Sequence, residues 1–324
     1  MNALLNTWYP ICQSAAVTRT PIGVRRLAKD LVGWRDAAGV VRVQSDICLH
    51  RGARLSLGVV VDNQIRCAYH GWTYDGSGRC TVIPSSREAH ERLAPRIQLE
   101  TYPSQERAGL VWAYFGDGSA ASPPSLVIPE ELEHPDWSGF ICEAEWPVHW
   151  ILILENLADP MHGPYLHSNS FTLNRGALED QMRTIRRNDG FVVEREGQRG
   201  VNFDWAEFFV GGSLWVRLDI PLPWGPKGVL RICGMVTPID DNASLVYFLR
   251  YRNLAGWKRA YWRFLYKVFW EQQHWKVIEQ DRRMLESQRG ELAHEVEHLI
   301  NSDRGVTELR RVLKEKLASR LPAL

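Results

Sequence analysis

Apolar and polar positions alternate in short runs over the first third of the chain, and a helical period sets in only later. Residues 40–43 (Val-Val-Arg-Val) and 58–61 (Gly-Val-Val-Val) are rich in β-branched side chains, and Asp62 and Asn63 turn the chain after the second run. Residues 72–74 and 80–83 flank a turn of Asp75, Gly76, Ser77 and Gly78. Residues 109–115 form one further run, apolar enough to be a buried strand. No long helical period occurs before about residue 115, so residues 1–116 are expected to form a small all-β domain.

A stretch rich in Gly, Ser and Pro follows at residues 116–124. It places a linker at residues 117–136 and a second domain at residues 137–324. Residues 147–165 carry a helical pattern, with Pro147 suited to a first turn. Strand-like runs follow at residues 190–193, 212–218, 229–237 and 244–251. From Gly256 the chain has no Pro or Gly until Gly290, which predicts one long helix. Its apolar side is read as Tyr261, Phe264, Leu265, Val268, Phe269 and Trp275. Residues 306–321 read as a charged amphipathic helix that caps the domain. Helix, antiparallel sheet, helix makes the second domain α+β.

Composition narrows the function classes. The 324 residues are 45% hydrophobic and 24% charged, normal for a globular protein with a substantial core. A formal charge of +1 gives no sign of a nucleic-acid or membrane partner. The first 18 residues carry no charged side chain, but Asn2, Asn6, Pro10 and Gln13 interrupt the run, so it is read as folded protein rather than a leader. Of the six cysteines, Cys12, Cys80, Cys142 and Cys233 are scattered and are expected to be buried without disulfides, in a reducing cytoplasm.

Cys48 and Cys67 are different. Residues 48–50 read Cys-Leu-His and residues 67–70 read Cys-Ala-Tyr-His. Two thiolates and two imidazoles suit a tetrahedral zinc ion or a Rieske [2Fe–2S] cluster, in which two His replace two Cys on one iron. Zinc fingers group Cys with Cys and His with His. Here each pair contributes one of each.

A second set lies at residues 156–167. Asn156, Asp159 and His162 are three apart, as on one helical face, and His167 lies five further on. On a regular helix His167 would point about 140° away from His162. Gly163 and Pro164 could end the helix and swing it back, and Pro160 could mark a kink. Two His and a carboxylate make the facial triad of non-haem iron oxygenases. Asp159 is close enough to orient the His162 imidazole.

Taken together, these residues resemble the Rieske non-haem iron (ring-hydroxylating) oxygenases. Residues 50–52 (His-Arg-Gly) and 67–75 (Cys-Ala-Tyr-His-Gly-Trp-Thr-Tyr-Asp) resemble the two cluster loops of that family. Asn-x-x-Asp-x-x-His-x-x-x-x-His resembles its catalytic-iron motif, and Trp8-Tyr9-Pro10 its opening strand. The resemblance implies an all-β Rieske domain followed by a helix-grip catalytic domain. It implies that Cys48 and Cys67 hold one cluster iron and His50 and His70 the other. It implies that His162 and His167 hold a mononuclear Fe(II), with Asp281 as third ligand and Glu279 or Glu286 as alternatives. Asn156 would lie beside the iron's open position. Asp159 would bridge to a Rieske histidine of a neighbouring subunit in a head-to-tail homotrimer. His274, seven residues before Asp281, shares its helical face and is a candidate for the pocket wall.

The implied function is that of a terminal oxygenase component. It would use O₂ and NADH-derived electrons, delivered by a ferredoxin or flavin-containing reductase, to act on an aromatic or heteroaromatic small molecule. The compact length favours hydroxylation or O- or N-demethylation. The alternatives are a cis-dihydroxylating arene dioxygenase alpha subunit, a Rieske electron carrier and a structural zinc protein. Phe203, Trp205, Phe208, Phe209 and Trp215 are candidates for an aromatic pocket, against sheet core as the plainer role.

Overall fold

The computed structural model describes residues 3–119, 122–170, 181–197, 205–222, 228–288 and 296–318. The chain divides into two compact units, Ala3–Ser125 and Leu126–Leu324. The Trp8 indole N–H donates to the Pro124 carbonyl at 2.8 Å, so this part of the Pro-rich stretch belongs to the first unit. Val127 belongs to the second, where its carbonyl accepts from Ser213 and Trp215.

Three small antiparallel sheets build the first unit. Leu110–Phe115 lies between Thr7–Gln13 and Ser104–Arg107. A second sheet runs Ile22–Arg26, Lys29–Arg35, Val41–Ser45 and Thr101–Tyr102. A third runs Val59–Val61, Gln64–Arg66, Thr73–Asp75 and Cys80–Val82. Every strand-like run read from the pattern forms a strand within two residues. Asp62 and Asn63 both take positive φ, 49° and 60°, as a tight two-residue hairpin requires. One short helix, α1 (Arg87–Leu93), interrupts the β structure, with the Ser86 hydroxyl accepting from the Ala89 N–H. Cys48 and Cys67 sit in a core with Trp34, Leu55, Ile65 and Tyr74.

A seven-stranded antiparallel sheet organises the second unit. Its order is Trp137–Trp146, Ser244–Asn253, Gly228–Pro238, Trp215–Leu222, Trp205–Phe209, Gly190–Arg195, Met182–Arg187. Side chains directly opposite in register share a face, so Phe140, Arg250 and Ile232 point one way, with Cys142, Phe248 and Gly234. Helix α2 (Trp150–Ala158) lies on that face: a Cβ on Gly234 would meet Leu157 at 3.1 Å. Helix α3 (Gly163–Leu166) follows it. Later come α4 (Gly256–Leu265), a π-helical turn at Tyr266–Trp270 and α5 (Glu271–Ser287). Tyr266 stacks on Phe140 with ring centroids 4.1 Å apart, so this composite helix covers the same face as α2. Helix α6 (Arg304–Ala318) packs on α2 and on the sheet strands Met182–Arg187 and Gly190–Arg195, burying Val306, Leu309, Val312 and Leu313, and Arg310 binds both Glu155 carboxylate oxygens. The capping role read for residues 306–321 holds over the described part.

Two helix expectations need correction. Residues 147–165 are not one helix. Residue 159 precedes a proline, whose ring disfavours helical backbone there. Asp159 is accordingly extended, at φ −101° and ψ 101°, and α2 stops at Ala158. The second correction concerns the apolar side of residues 256–287. Tyr261, Phe264, Val268, Phe269 and Trp275 are exposed; Trp262, Tyr266, Ile278, Asp281 and Leu285 face inward. The inward stripe contains polar residues, so it has less apolar contrast than the stripe that faces water.

The aromatic candidates divide similarly. Phe208 is buried and stacks on Phe191, Phe209 stacks on Trp215, and the Arg217 guanidinium lies over Trp205. These are packing roles; Phe203 lies outside the described residues. All six cysteines are free and buried. Among the described residues no helix is long and apolar enough to cross a membrane.

Candidate metal centres

The two cysteine loops of the first unit have the same construction. In each, the Cys carbonyl accepts from the N–H of a glycine four residues on: Gly52 to Cys48 at 2.9 Å and Gly71 to Cys67 at 3.1 Å. Each Cys N–H then donates to the carbonyl five residues on, Ala53 and Trp72. Both glycines need positive φ, 73° and 71°, to close these turns. The result is two matching fingers that present a Cys at the base and a His at the tip.

Cys48 and Cys67 are 2% and 3% exposed, and their thiols lie against one another. Burial pushes the Cys48 thiol above its usual pKa, and Cys67 adds to the rise. The Tyr74 hydroxyl lies 3.4 Å from Cys48 Sγ and accepts the Leu49 N–H at 3.1 Å. At the tips, His50 and His70 have ring centroids 4.5 Å apart, and His50 stacks on Trp72. His50 is exposed. Partial desolvation, then the neighbouring His50, lowers the His70 pKa, which favours the neutral ring that metal ligation requires. Cys pairs with Cys and His with His in space, although the sequence interleaves them.

That pairing bears on the two metal readings. Only His162, His167 and Asp281, among the described residues, bring at least three ligand atoms within 4.8 Å of one another. The four residues of the fingers form no such single-ion cage. Two separated pairs fit a cluster with one iron at each end.

The second set is assembled at the break after α2. Asp159 accepts the Met161 N–H at 2.8 Å and caps a 3-10 turn at Pro160–His162. Helix α3 then starts, with Pro164 in its first turn, and the His167 N–H closes it onto the Gly163 carbonyl at 3.0 Å. The break, and not a shared helical face, brings the two histidines together, with ring centroids 5.2 Å apart.

From α5, Asp281 reaches both. Its Oδ1 is 3.1 Å from His167 Nε2 and 3.6 Å from His162 Nε2. Asn156 Nδ2 is 3.4 Å from the same oxygen. Asp159 Oδ2 faces His162 Nδ1 at 3.6 Å. Burial works to lower the His162 pKa, but Asp159 and Asp281 outweigh it and the net shift is upward. Glu279 and Glu286 do not enter the site; Arg282 binds both, and Arg283 also binds Glu279. The same two neighbours hold the Glu279 carboxyl down to about 2.

One contact was not anticipated from the sequence. Gln280 Oε1 lies 2.9 Å from His167 Nδ1. With the proton on Nδ1, the Nε2 lone pair points at Asp281. Its adjacency to Asp281 was the only signal available.

Two clefts flank this site. One, of about 210 Å³, is lined by Asn156, Asp159 and His162. The other, of about 370 Å³, is lined by Asn169, Ser170, Trp270, His274 and Gln280. His274 thus borders a cleft. Burial, with help from the Arg250 charge, depresses its pKa to about 3, so its ring is neutral at ordinary pH.

Comparison with known proteins agrees with both halves. Residues 7–103 match the Rieske [2Fe-2S] domain model, and residues 146–319 match the vanillate O-demethylase oxygenase C-terminal domain model. The phenoxybenzoate dioxygenase alpha subunit of Ectopseudomonas oleovorans is 30% identical over 96% of this chain and 80% of its own length. The chloroplastic protein TIC 55 of Arabidopsis thaliana is 28% identical over 94% of this chain, which spans only 58% of that protein. Dicamba monooxygenase, in a crystal structure with dicamba bound, superposes with a TM-score of 0.77 over 98% of this chain and 99% of its own, at 20% identity, a likeness of fold. With models matched to both halves and a 30% identical relative along nearly its whole length, the chain belongs to the Rieske oxygenases, oxidoreductases with a [2Fe–2S] domain.

Proposed function

We propose that this chain is the terminal component of a multicomponent oxygenase acting on an aromatic or heteroaromatic small molecule. Cys48, Cys67, His50 and His70 hold the cluster, and His162, His167 and Asp281 hold the mononuclear iron. The observation that carries this is the convergence of two imidazoles and one carboxylate within 4.8 Å of each other. That is a three-ligand set for one ion, and it leaves positions free for O₂ and solvent.

Bound there, the two metal groups supply electron storage and O₂ activation. The protein's own contribution is orientation. Gln280 fixes the His167 tautomer, and Asp159 faces Nδ1 of His162, so both Nε2 atoms converge on Asp281. Asn156 holds the shared Asp281 oxygen from the opposite helix.

Monooxygenation or demethylation is favoured by the C-terminal match, whose model is described from a vanillate O-demethylase. Electrons would come from NADH through a ferredoxin or flavin-containing reductase. We further propose a cytoplasmic homotrimer in which Asp159 links the iron site to a neighbouring subunit's cluster. Its carboxylate is a third exposed and lines the smaller cleft, as a group facing a partner must be.

Iron and acid-labile sulfide per chain, on anaerobically purified protein, test the assignment first. About three irons and two sulfides are expected. About two irons and two sulfides, unchanged by added Fe(II), would leave an electron carrier and remove the oxygenase. Product analysis then separates the reaction types: formaldehyde or a phenol against a cis-diol.

A further inference from the structure

Trp257 is 73% exposed, and Phe264 and Phe269 are each 62% exposed, on the composite helix that runs from α4 through the π turn into α5. Trp257, Tyr261 and Phe264 stand at i, i+4 and i+7, so they form one stripe along α4. The ring centroids of Trp257 and Tyr261 are 6.4 Å apart. Val268 and Phe269, in the π turn, are exposed as well. Trp262 and Tyr266, on the other side, are buried against Phe140 of the sheet. Large rings left in water are unfavourable, and a run of them on one surface marks contact with something else.

The polar residues between the rings say what that is. Lys258, Arg259, Arg263 and Lys267 are exposed, and residues 256–270 contain no Asp or Glu. Arg259 donates to the Pro135 carbonyl, and Arg263 to the Ser138 hydroxyl and the Gly139 carbonyl, all neutral groups. Of the four cations, Lys267 has a carboxylate partner among the described residues, Glu271 at 2.8 Å. The +1 charge of the whole chain conceals this local excess. A second copy set against the ridge would bring like charges together, which is unfavourable. Helices that carry Trp and Phe among Lys and Arg lie instead in the headgroup layer of an anionic bilayer, with the rings at the acyl boundary and the cations near the phosphates. The smaller cleft, proposed above to face a neighbouring subunit, is lined by Met284 and Leu285. Met284 is about 30 Å along the composite helix from Phe264, so the two surfaces do not compete.

We propose that the ridge of Trp257, Tyr261, Phe264, Val268 and Phe269, with the four cations beside it, docks this protein on the surface of an anionic phospholipid membrane. The helix lies along the surface and does not cross it.

The test is flotation of purified holoprotein with vesicles of phosphatidylcholine and phosphatidylglycerol in equal parts, against vesicles of phosphatidylcholine alone. The anionic vesicles should bind at least about tenfold more tightly than the neutral ones, and added salt should weaken that binding. Lys258→Ala with Lys267→Ala should remove most of the preference. Trp257→Ala with Phe264→Ala should lower affinity for the anionic vesicles by at least about tenfold. All four side chains are exposed, so both variants should fold, as circular dichroism would read; either pair carries the test if the other does not fold. Flotation with neither vesicle, equal flotation with both, or unchanged binding in every folded variant would overturn the docking surface. So would a lipid-free oligomer that dissociates in Trp257→Ala with Phe264→Ala, which would give the ridge to a second copy. Iron and sulfide are counted on the same samples. Full metal content without vesicle binding removes the docking surface and leaves the oxygenase standing. Missing mononuclear iron removes the oxygenase, while vesicle binding remains readable because no ridge residue is a proposed ligand.

Discussion

The two ligand sets of this chain are built in opposite ways. The cluster fingers are local: each pairs a Cys with a His two or three residues later, shaped by one glycine with φ near 70°. Everything that positions the ligands is written within a few residues. The iron site is assembled at a distance. Its two histidines come from a helix break, and Gln280, which orients His167, lies 113 residues away from it. A local finger tolerates change elsewhere in the fold. An assembled site depends on every element that sets the approach of α2 and α5.

Removing one ligand from each set should sharpen the contrast most. Cys67→Ser should eliminate sulfide and the visible cluster spectrum while about one iron per chain remains; Asp281→Ala should do the reverse, leaving about two irons with the cluster spectrum intact. Loss of both metals in either variant would mean that the two sets are not independent. Next in size is Asp159→Asn. It should keep both metals yet reduce turnover by about 10- to 100-fold or more. Wild-type turnover would remove the linking role. The same variant has a pH signature. Asp159 raises the His162 pKa, and iron needs the neutral ring, so wild-type apoprotein takes up Fe(II) less well as pH falls. Without the carboxylate, that loss should move to lower pH.

Smaller effects are expected one layer out. Gln280→Leu should weaken Fe(II) retention against a chelator by about 10- to 100-fold while the cluster spectrum stays unchanged. An unaltered off-rate would show that His167 is oriented without it. Finally, Gly305 lets α6 approach the end of α2, where a Cβ would stand 2.2 Å from the Ala158 carbonyl oxygen. Gly305→Ala should destabilise the protein by about 1–3 kcal/mol on chemical denaturation. No change would show that the α2–α6 packing has slack.

Legibility in the sequence follows the same division. Strands of the first unit were readable because alternation and turn residues are local signals. The Cys-His pairs proposed to hold the cluster were readable because their spacing is fixed within single turns. His162 and His167 could be named by resemblance, but the helical-face reading of Asn156, Asp159 and His162 does not hold. Asp159 is extended, and the three-residue spacing that suggested one helical face describes a cap and a 3-10 turn instead. Asp281 could be chosen over Glu279 and Glu286 only by resemblance; burial separates them, and burial depends on the sheet beneath.

The π turn at Tyr266–Trp270 carries a consequence for how this gene can change. An unbroken α-helix that buries Trp262 and Tyr266 would go on to bury positions near 273, 277, 280 and 284. The chain instead turns Ile278, Asp281 and Leu285 inward, one position later in each case. The wide turn absorbs one residue and resets the frame of everything after it. Deleting one codon from 266–270 would remove the extra residue and leave a continuous helix that still turns Asp281 inward, whereas deleting one from 271–280 would carry it about 100° off the site. Iron ligation here is therefore more sensitive to a change in the count of residues than to most changes in their kind.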